Sequence, residues 1–385
     1  MPKPPRRYDI DWLRTLAVLF LVLFHVIQVF DPFETARIKN VDKVPLAGYV
    51  VKSAWVWFMP LFFFVSGFST KFALDFRSFG RYAKERLKRL GIPLLFGLLL
   101  FILPATHYSN IHLNGYSGSF LNSFKLFLNV ETTSLGLGYN LFKISSGIYD
   151  GQFSPGHLWF IFYLLIMSLL SIPFFKYLRR EKGQLQIKTL ASLNSKLVLL
   201  WPVVPLILAQ LLPDLVGRNP VYFLVFFILG YIFALDKRFE EALIKHKLLV
   251  GLLGPGLLLL AMIPIIYGIP LVGGLLWLYR YFIFTFVAWF CVLFILWLGK
   301  RFLNTSSPAL RFLGPASYPI YLIHYPFQVI ASFYIVQLNW GILAKFLTIL
   351  ALTFSGTILT YLIAKQIRPL HTIFGIKTPR PRTVK

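Results

Sequence analysis

The amino-acid sequence predicts an all-α, polytopic membrane helical bundle with about ten transmembrane helices and both termini in the cytoplasm. Of the 385 residues, 57% are hydrophobic and only 14% are charged, whereas soluble domains carry roughly 25% charged residues. The apolar residues also gather into long runs, mostly close to the roughly 17–25 residues that cross a bilayer as a helix. Too few polar residues remain to cover a water-exposed surface, so composition alone indicates a membrane protein.

Ten apolar runs are candidates for the spans. Basic residues precede the first run, as in a signal peptide, but no small-residue cleavage motif follows it and Asp31 comes next, so we expect it to be retained. The runs at 92–106 and 197–212 are short, which is typical of broken or tilted helices. The ten runs are 11–30, 46–70, 92–106, 157–177, 197–212, 220–236, 248–267, 275–298, 315–337 and 343–366.

The distribution of positive charge orients this bundle. With the N-terminus inside, the segments assigned to the cytoplasm carry 28 Lys and Arg residues and the segments assigned outside carry 6. Because the excess alternates with each crossing, it follows the positive-inside rule. The formal net charge of +25 is therefore attributed to topology, and nucleic acid is not an expected partner.

The predicted organisation has one membrane domain and two tails. Residues 1–10 form a cytoplasmic N-terminal tail, 11–366 form the membrane domain, and 367–385 form a basic cytoplasmic C-terminal tail. The outer loop at 107–156 is rich in Gly, Ser, Asn and Tyr and is too long for a passive connection. Its composition is typical of a lid or a carbohydrate-contacting surface, and equally of a plain flexible loop.

Few side chains can do chemistry inside the predicted membrane domain. All 14 carboxylates fall outside the spans or at their edges, which argues against glycoside hydrolysis by paired carboxylates and against a carboxylate proton relay. Histidine titrates near neutral pH without a large shift, so His25 and His324 are the candidates for an intramembrane base. The single cysteine, Cys291, excludes an intrachain disulfide and a cysteine-based metal site, and no metal is expected.

Arg14 and His25 share the first predicted helix. They are eleven positions apart, a rotation about 20° more than three full turns, so they lie on one face with an axial separation of about 16.5 Å. A polar face of this kind is expected to look into the bundle or a wet cavity. The structural alternative is that Arg14 pairs with Asp11 or reaches the headgroups, while His25 makes a helix–helix hydrogen bond.

A basic segment follows the second predicted span. Within it, Arg86 and Arg89 can hold the phosphates of an anionic donor, since arginine binds phosphate in a bidentate manner. Attraction to anionic lipid and the topological signal explain the same charges equally well. Ser66 and Gly67, near the cytoplasmic end of the second span, suit either donor binding or close helix packing.

Five segments resemble motifs of the acyltransferase-3 family of integral membrane proteins. They occur in the family's order from residue 11 to about residue 324, and so cover most of the chain. The first keeps the family's ten-residue gap between a basic residue, here Arg14, and a histidine, here His25. The other four are FFFVSGF at 62–68, RLKR at 86–89, GHLWF at 156–160 and SYPIYLIH at 317–324.

The resemblance implies ten core helices, an acyl-CoA co-substrate on the cytoplasmic side, a carbohydrate acceptor outside and no bound cofactor. It also implies a bacterial cytoplasmic (inner) membrane. Residues 85–96 and 156–160 look most similar to the branch that modifies glucans, for which the resemblance implies O-succinyl transfer to periplasmic glucans. Many members carry an additional soluble domain that this sequence does not contain, so we expect the membrane domain or a partner protein to complete the transfer.

The resemblance also implies roles for individual residues. A structural interpretation stays open for each, as a helix-packing, capping or interfacial side chain. The expected residues are His25 and His324 for catalysis, Arg14, Arg86, Arg89 and Ser66 for donor binding, and His157, Trp159 and Tyr321 for acceptor binding.

Two functions from other classes stay open at this point. A transporter or flippase for a saccharide or lipid would use the histidines as proton carriers, although the sequence shows neither internal repeats nor buried carboxylates. A non-catalytic membrane subunit of a polysaccharide-synthesis complex would tolerate substitution of His25 and Arg14. The sequence also leaves open the acyl group, the acceptor, the oligomeric state, and whether transfer is direct or passes through an acyl-histidine.

Overall fold

The computed structural model of the chain is helical throughout the residues that it describes. Those residues form eighteen α-helices with short 3-10 and π-helical segments between some of them, and they contain no β-strand. The all-α prediction is therefore confirmed. The structure describes residues 6–33, 36–128, 155–212, 218–270 and 274–376.

The chain divides into two compact units, each made of three stretches of sequence. The first unit comprises Met1–Ala17, Tyr49–Ala83 and Ile166–Ser307. The second comprises Val18–Gly48, Lys84–Leu165 and Pro308–Lys385.

The first unit is built mainly from residues 49–75 of one long helix and from the helices that follow residue 166. Its aromatic centre is Trp289, which is fully buried and donates its indole N–H to the Leu199 carbonyl at 2.7 Å. The rings of Phe64, Phe226 and Phe233 lie 5.4–6.2 Å from that of Trp289. The helices are α2 (Pro45–Asp75), α8 (Ile172–Leu178), α9 (Glu181–Ser192), α10 (Ser195–Leu200), α11 (Val203–Gln210), α12 (Pro220–Leu235), α13 (Lys237–Lys245), α14 (Lys247–Ile266) and α15 (Gly274–Phe302).

Two glycines let α2 and α12 cross at close range. A Cβ atom built on Gly67 would lie 1.8 Å from the Phe227 carbonyl oxygen, and one on Gly230 would lie 2.0 Å from the Phe64 carbonyl oxygen. No side chain fits at either position, so the small residue in the predicted Ser66-Gly67 motif has a packing function here.

The second unit contains the remaining helices. A continuous helical stretch runs through α3, α4 and α5, with π-helical turns at Leu87–Gly91 and Leu98–Ile102. Helices α16 and α17 form a hairpin that packs along its length. The helices are α1 (Tyr8–Ile27), which enters the unit at Val18, α3 (Phe79–Arg86), which enters it at Lys84, α4 (Ile92–Gly97), α5 (Leu103–Asn114), α6 (Phe120–Leu128), α7 (Trp159–Leu170), which leaves it after Leu165, α16 (Pro308–Ile335), α17 (Ile342–Gln366) and α18 (Leu370–Ile373).

Six helical stretches of the described residues are long and apolar enough to cross a membrane, and the number reaches nine if each of three bent helix pairs is one span. The chain is therefore a multi-pass membrane protein. The run predicted at 315–337 lies on α16, which is not among these stretches. Its proline, tyrosine, histidine and glutamine residues make it more polar than they are. The figure of ten and the location of the termini thus stay predictions. The six stretches are Tyr8–Phe30, Pro45–Asp75, Phe79–Asn114, Lys247–Ile266, Leu278–Phe302 and Ile342–Gln366.

Two of the differences from the predicted boundaries concern the short run at 197–212 and the outer loop. The short run at 197–212 lies on Ser195–Gln210, which is bent by 114° from Glu181–Ser192. The predicted outer loop at 107–156 begins within α5, because the polar residues Ser109 and Asn110 are buried and extend the helix to Asn114. Gly115, with φ of 61°, ends that helix in the left-handed conformation. Residues 129–154 of the predicted loop lie outside the described residues.

Candidate functional site

Three histidines from distant parts of the sequence meet in the second unit. The rings of His25 and His324 are stacked with centroids 5.4 Å apart, and His157 meets His324 edge to face at 5.2 Å. Tyr325 joins the group, with its ring 4.9 Å from that of His25 and 4.7 Å from that of His157. We call His25, His157, His324 and Tyr325 the histidine cluster.

His25 is held by the end of its own helix. Helix α1 ends at Ile27 and continues as a 3-10 turn over Gln28–Phe30. This turn places the Gln28 amide oxygen 2.8 Å from His25 Nδ1. With that oxygen as acceptor, Nδ1 carries the hydrogen, and the lone pair of the neutral ring is on Nε2.

His324 lies in the middle of α16 and is fully buried. Its Nδ1 donates to the carbonyl oxygens of Ile320 at 3.1 Å and Tyr321 at 2.9 Å, one turn earlier in the same helix. A carbonyl can only accept, so the lone pair of this ring is also on Nε2. That nitrogen is buried and has no hydrogen-bond partner among the described residues.

His157 precedes α7 on a single 3-10 turn, Gly156–Leu158. Its Nε2 donates to the Leu322 carbonyl at 3.2 Å, and its own backbone carbonyl accepts a hydrogen bond from the Tyr321 hydroxyl. Its Nδ1 is buried and lacks a partner in the part of the chain that the structure describes. His157 thus contributes a second buried imidazole nitrogen that has no hydrogen-bond partner among the described residues.

The histidine cluster therefore offers proton acceptors inside a mostly apolar unit. Buried polar atoms normally have hydrogen-bond partners, so unpartnered ring nitrogens are candidates for binding a ligand. A neutral imidazole nitrogen can take a proton from a hydroxyl group at ordinary pH. Within the described residues, no group of three His, Cys, Asp or Glu side chains has the geometry to hold a metal ion.

The sequence-predicted acceptor residues lie close to these histidines. Tyr321 binds the His157 carbonyl, and its ring lies 5.8 Å from that of Phe160. Trp159 is buried and contacts Tyr163 edge to face at 5.4 Å. Tyr321 therefore positions His157, while Trp159 is the first residue of α7.

The predicted donor residues are divided between the two units. Arg86 and Arg89 belong to the second unit, and the Arg89 carbonyl accepts a hydrogen bond from Tyr318 at 2.8 Å. Arg14 and Ser66 belong to the first unit. Arg14 forms the anticipated ion pair with Asp11 at 2.9 Å, although its side chain is 43% exposed.

Three residues of the site were not identified from the sequence. Gln28 lies three positions after His25, a spacing at which helical side chains meet, so it could have been found by looking one turn ahead. Tyr325 directly follows His324 and gave no separate signal. Arg37 lies in a polar segment and reaches the cluster only through the fold, with its guanidinium 5.6 Å from the Tyr325 ring centroid.

Comparison with known proteins agrees with the family resemblance of the five sequence motifs. The acyltransferase domain that defines the acyltransferase-3 family matches residues 7–365. Glucans biosynthesis protein C of Salmonella schwarzengrund is 22% identical over 405 residues, covering 97% of this chain and 96% of the relative. The protein of the same name from Escherichia coli O139:H28 is 24% identical over 369 residues, covering 88% of this chain and 87% of the relative. No solved structure matches the chain.

Proposed function

The chain belongs to the acyltransferase-3 family, and on that premise we propose that it transfers an acyl group from cytoplasmic acyl-CoA to a hydroxyl group of an extracytoplasmic glycan. The glycan acceptor is supported by the names of the relatives, which are glucan biosynthesis proteins. The bacterial cytoplasmic membrane is supported by the multi-pass helices and by the bacterial origin of those relatives.

The proposed chemistry uses an imidazole as general base. His25 Nε2 takes the proton of the acceptor hydroxyl while its oxygen bonds to the acyl carbon. The carbon–sulfur bond of the thioester then breaks, and the CoA thiolate takes up a proton as it leaves. The observation that carries this proposal is the stacking of His25 on His324 at 5.4 Å, with Nδ1 of both rings already bound to an acceptor.

His324 is proposed to act with His25. Two imidazolium ions at this separation would repel each other, so protonation of one ring disfavours protonation of the other. The second ring therefore stays neutral and can accept a hydrogen bond from the acceptor or relay the proton. His157, Trp159 and Tyr321 are proposed to contact the acceptor, because they lie at or beside the same cluster.

Donor binding is assigned to basic side chains on the predicted cytoplasmic side. Arg89 is exposed and Arg86 is half-buried, so both can reach a soluble nucleotide. Arginine forks suit the phosphates of CoA. Arg14 is proposed for donor binding from the family motif. Ser66 is assigned to the same role on the family motif alone.

The test is release of free CoA by purified protein in liposomes that are supplied with acetyl-CoA or succinyl-CoA and cell-envelope glycans. Proton transfer by a positioned base contributes about 10²–10⁴-fold, so His25→Ala should lose at least about 10²-fold. His246→Ala is the matched control, since His246 belongs to the first unit and bonds Ser195. Normal turnover by a folded His25→Ala variant would remove His25 from the mechanism. Uptake of saccharide without any covalent change would identify a transporter instead.

A further inference from the structure

Arg37 lies beside the histidine cluster. Its guanidinium is stacked over the Tyr325 ring at 5.6 Å, and its Nη1 donates to the Thr106 hydroxyl at 3.1 Å. The same Tyr325 ring contacts His25 and His157. A permanent positive charge is thus separated from two of the three imidazoles by a single aromatic ring.

The side-chain partners of Arg37 do not include a counter-charge. None of the carboxylates in the described ranges forms an ion pair with it, and its contacts are a hydroxyl group and an aromatic ring. Since an arginine side chain does not lose its proton in proteins, a half-buried guanidinium of this kind favours a negatively charged ligand. By contrast, five other arginines pair with Asp or Glu, namely Arg6, Arg7, Arg14, Arg179 and Arg238.

The backbone of Gly156, next to His157, packs against the Arg37 guanidinium. A Cβ atom on Gly156 would lie 3.2 Å from Arg37 Nη2 and 2.7 Å from Ile102 Cδ1, and Gly156 has φ of 50°. A larger residue would therefore crowd Arg37 as well as strain the turn. Because Nη1 is used by Thr106, the Nε and Nη2 edge remains for a planar, bidentate acceptor, the geometry that a carboxylate offers.

We propose that Arg37 binds a carboxylate group of the substrate at the histidine cluster and so makes the enzyme selective for a carboxylate-bearing substrate. This inference rests on the proposed acyl transfer, because it assigns the substrate to that site. The carboxylate has two sources: the free end of a dicarboxylic acyl group on the donor, or a sugar acid in the acceptor glycan.

The test compares substrates that carry such a carboxylate with substrates that lack it. One arm measures kcat/KM for succinyl-CoA and acetyl-CoA with a neutral glucan. The other arm measures acetyl transfer to a neutral glucan and to a glycan that contains uronic acid. Arg37→Gln should lower kcat/KM for the carboxylate-bearing member of one arm by about 10- to 100-fold, the range of a lost hydrogen bond to a charged group. The neutral member of each arm should keep its rate.

Two further variants sharpen the comparison. Arg37→Lys keeps the charge without the planar fork, so it should restore only part of the preference. Arg280→Gln removes an exposed cation of the first unit and should leave the preference unchanged. An equal loss on all four substrates in Arg37→Gln, or a wild-type enzyme without any charge preference, overturns the proposal.

Equilibrium binding tests the role of Arg37 independently of the proposed acyl transfer. If wild type turns over no donor, the acyl-transfer proposal fails, and binding of succinyl-CoA, acetyl-CoA and the two glycans is measured instead. Tighter binding of a carboxylate-bearing ligand to wild type, lost in a folded Arg37→Gln variant, still supports an anion site at Arg37. Equal binding of charged and neutral ligands to wild type contradicts it.

Discussion

His25 and His324, which come from the first helix and the penultimate long helix of the chain, stack with ring centroids 5.4 Å apart and planes 28° apart. Nδ1 of His25 bonds a side-chain amide, and Nδ1 of His324 bonds two backbone carbonyls. Both rings are thereby held in the tautomer that has its lone pair on Nε2. The fold therefore orients two proton acceptors together, Nε2 of His25 and Nε2 of His324.

Gln28→Met should lower CoA release about tenfold. The substitution keeps the length of the side chain but removes the acceptor that holds His25 Nδ1, so the ring can turn or change tautomer, and the lost hydrogen bond accounts for a factor of this size. Gln337→Met is the control, because Gln337 bonds the Phe333 carbonyl one turn earlier at an exposed position. A Gln28→Met enzyme with wild-type turnover would show that Gln28 does not position His25.

Tyr321→Phe should reduce the free energy of unfolding by about 1 kcal/mol, since the buried His157 carbonyl loses its donor. Thermal unfolding in detergent measures the change. Tyr334→Phe removes an exposed hydroxyl whose partner is Tyr108, and its effect should be smaller. If both variants unfold at the wild-type temperature, the Tyr321 bond does not stabilise the unit.

Gly67→Ala should destabilise the first unit by about 1–3 kcal/mol or more, because its Cβ would collide with the Phe227 carbonyl. Gly256→Ala places the same methyl group in open space within α14 and should be neutral or stabilising, since alanine is the better helix former. The two variants are compared by thermal unfolding and by size-exclusion chromatography. Equal stability of the two would contradict the close approach of α2 and α12.

Glu240→Gln should destabilise the protein by about 1–3 kcal/mol, less than a fully buried pair because the cations are partly exposed. Glu240 bonds Arg7 at 2.7 Å and also Lys300. Burial opposes the charge of Arg7, but its hydrogen bonds to Asp9 and Glu240 outweigh this and raise its pKa. Glu241→Gln, at the exposed neighbouring position, is the control. Indistinguishable unfolding of the two variants would show that the contacts of Glu240 with Arg7 and Lys300 contribute little to the free energy of unfolding.

Arg14→Ala should raise KM for acyl-CoA while leaving kcat nearly unchanged, as expected for loss of donor binding alone. The side chain is partly exposed and pairs with the nearby Asp11, so its removal should not unfold the helix. Arg311→Ala removes another exposed cation from a segment assigned to the same side and serves as the control. An unchanged KM would place Arg14 outside the donor site.

Much of the fold could be predicted because it depends on local sequence. The ten apolar runs all lie on helices, and Arg14 forms the ion pair with Asp11 that the sequence predicts as its structural alternative. The boundaries of the outer loop were less predictable. Ser109 and Asn110 read as polar loop residues, yet tertiary contacts bury them at the end of α5.

The residues of the candidate site could likewise be predicted only in part. His25 and His324 could be named from sequence because histidine is the only ionisable side chain found deep in the apolar runs that titrates near neutral pH. Gln28 could have been found from its spacing of three positions after His25. Tyr325 and Arg37 could not, because residues of these types are common in polar and interfacial segments and their contacts with His25, His157 and each other join distant parts of the chain.

By itself, the sequence determined the helical class, the membrane environment and the identity of the candidate bases, because hydrophobic runs, charge asymmetry and side-chain chemistry are local properties. Only the tertiary structure decided that His25, His157 and His324 form one cluster, that both stacked rings present Nε2, and that Arg37 lies beside them. The physical reason is that each of these relationships depends on the packing of α1, α7 and α16 within one unit. That packing is set by side chains spread over the whole chain.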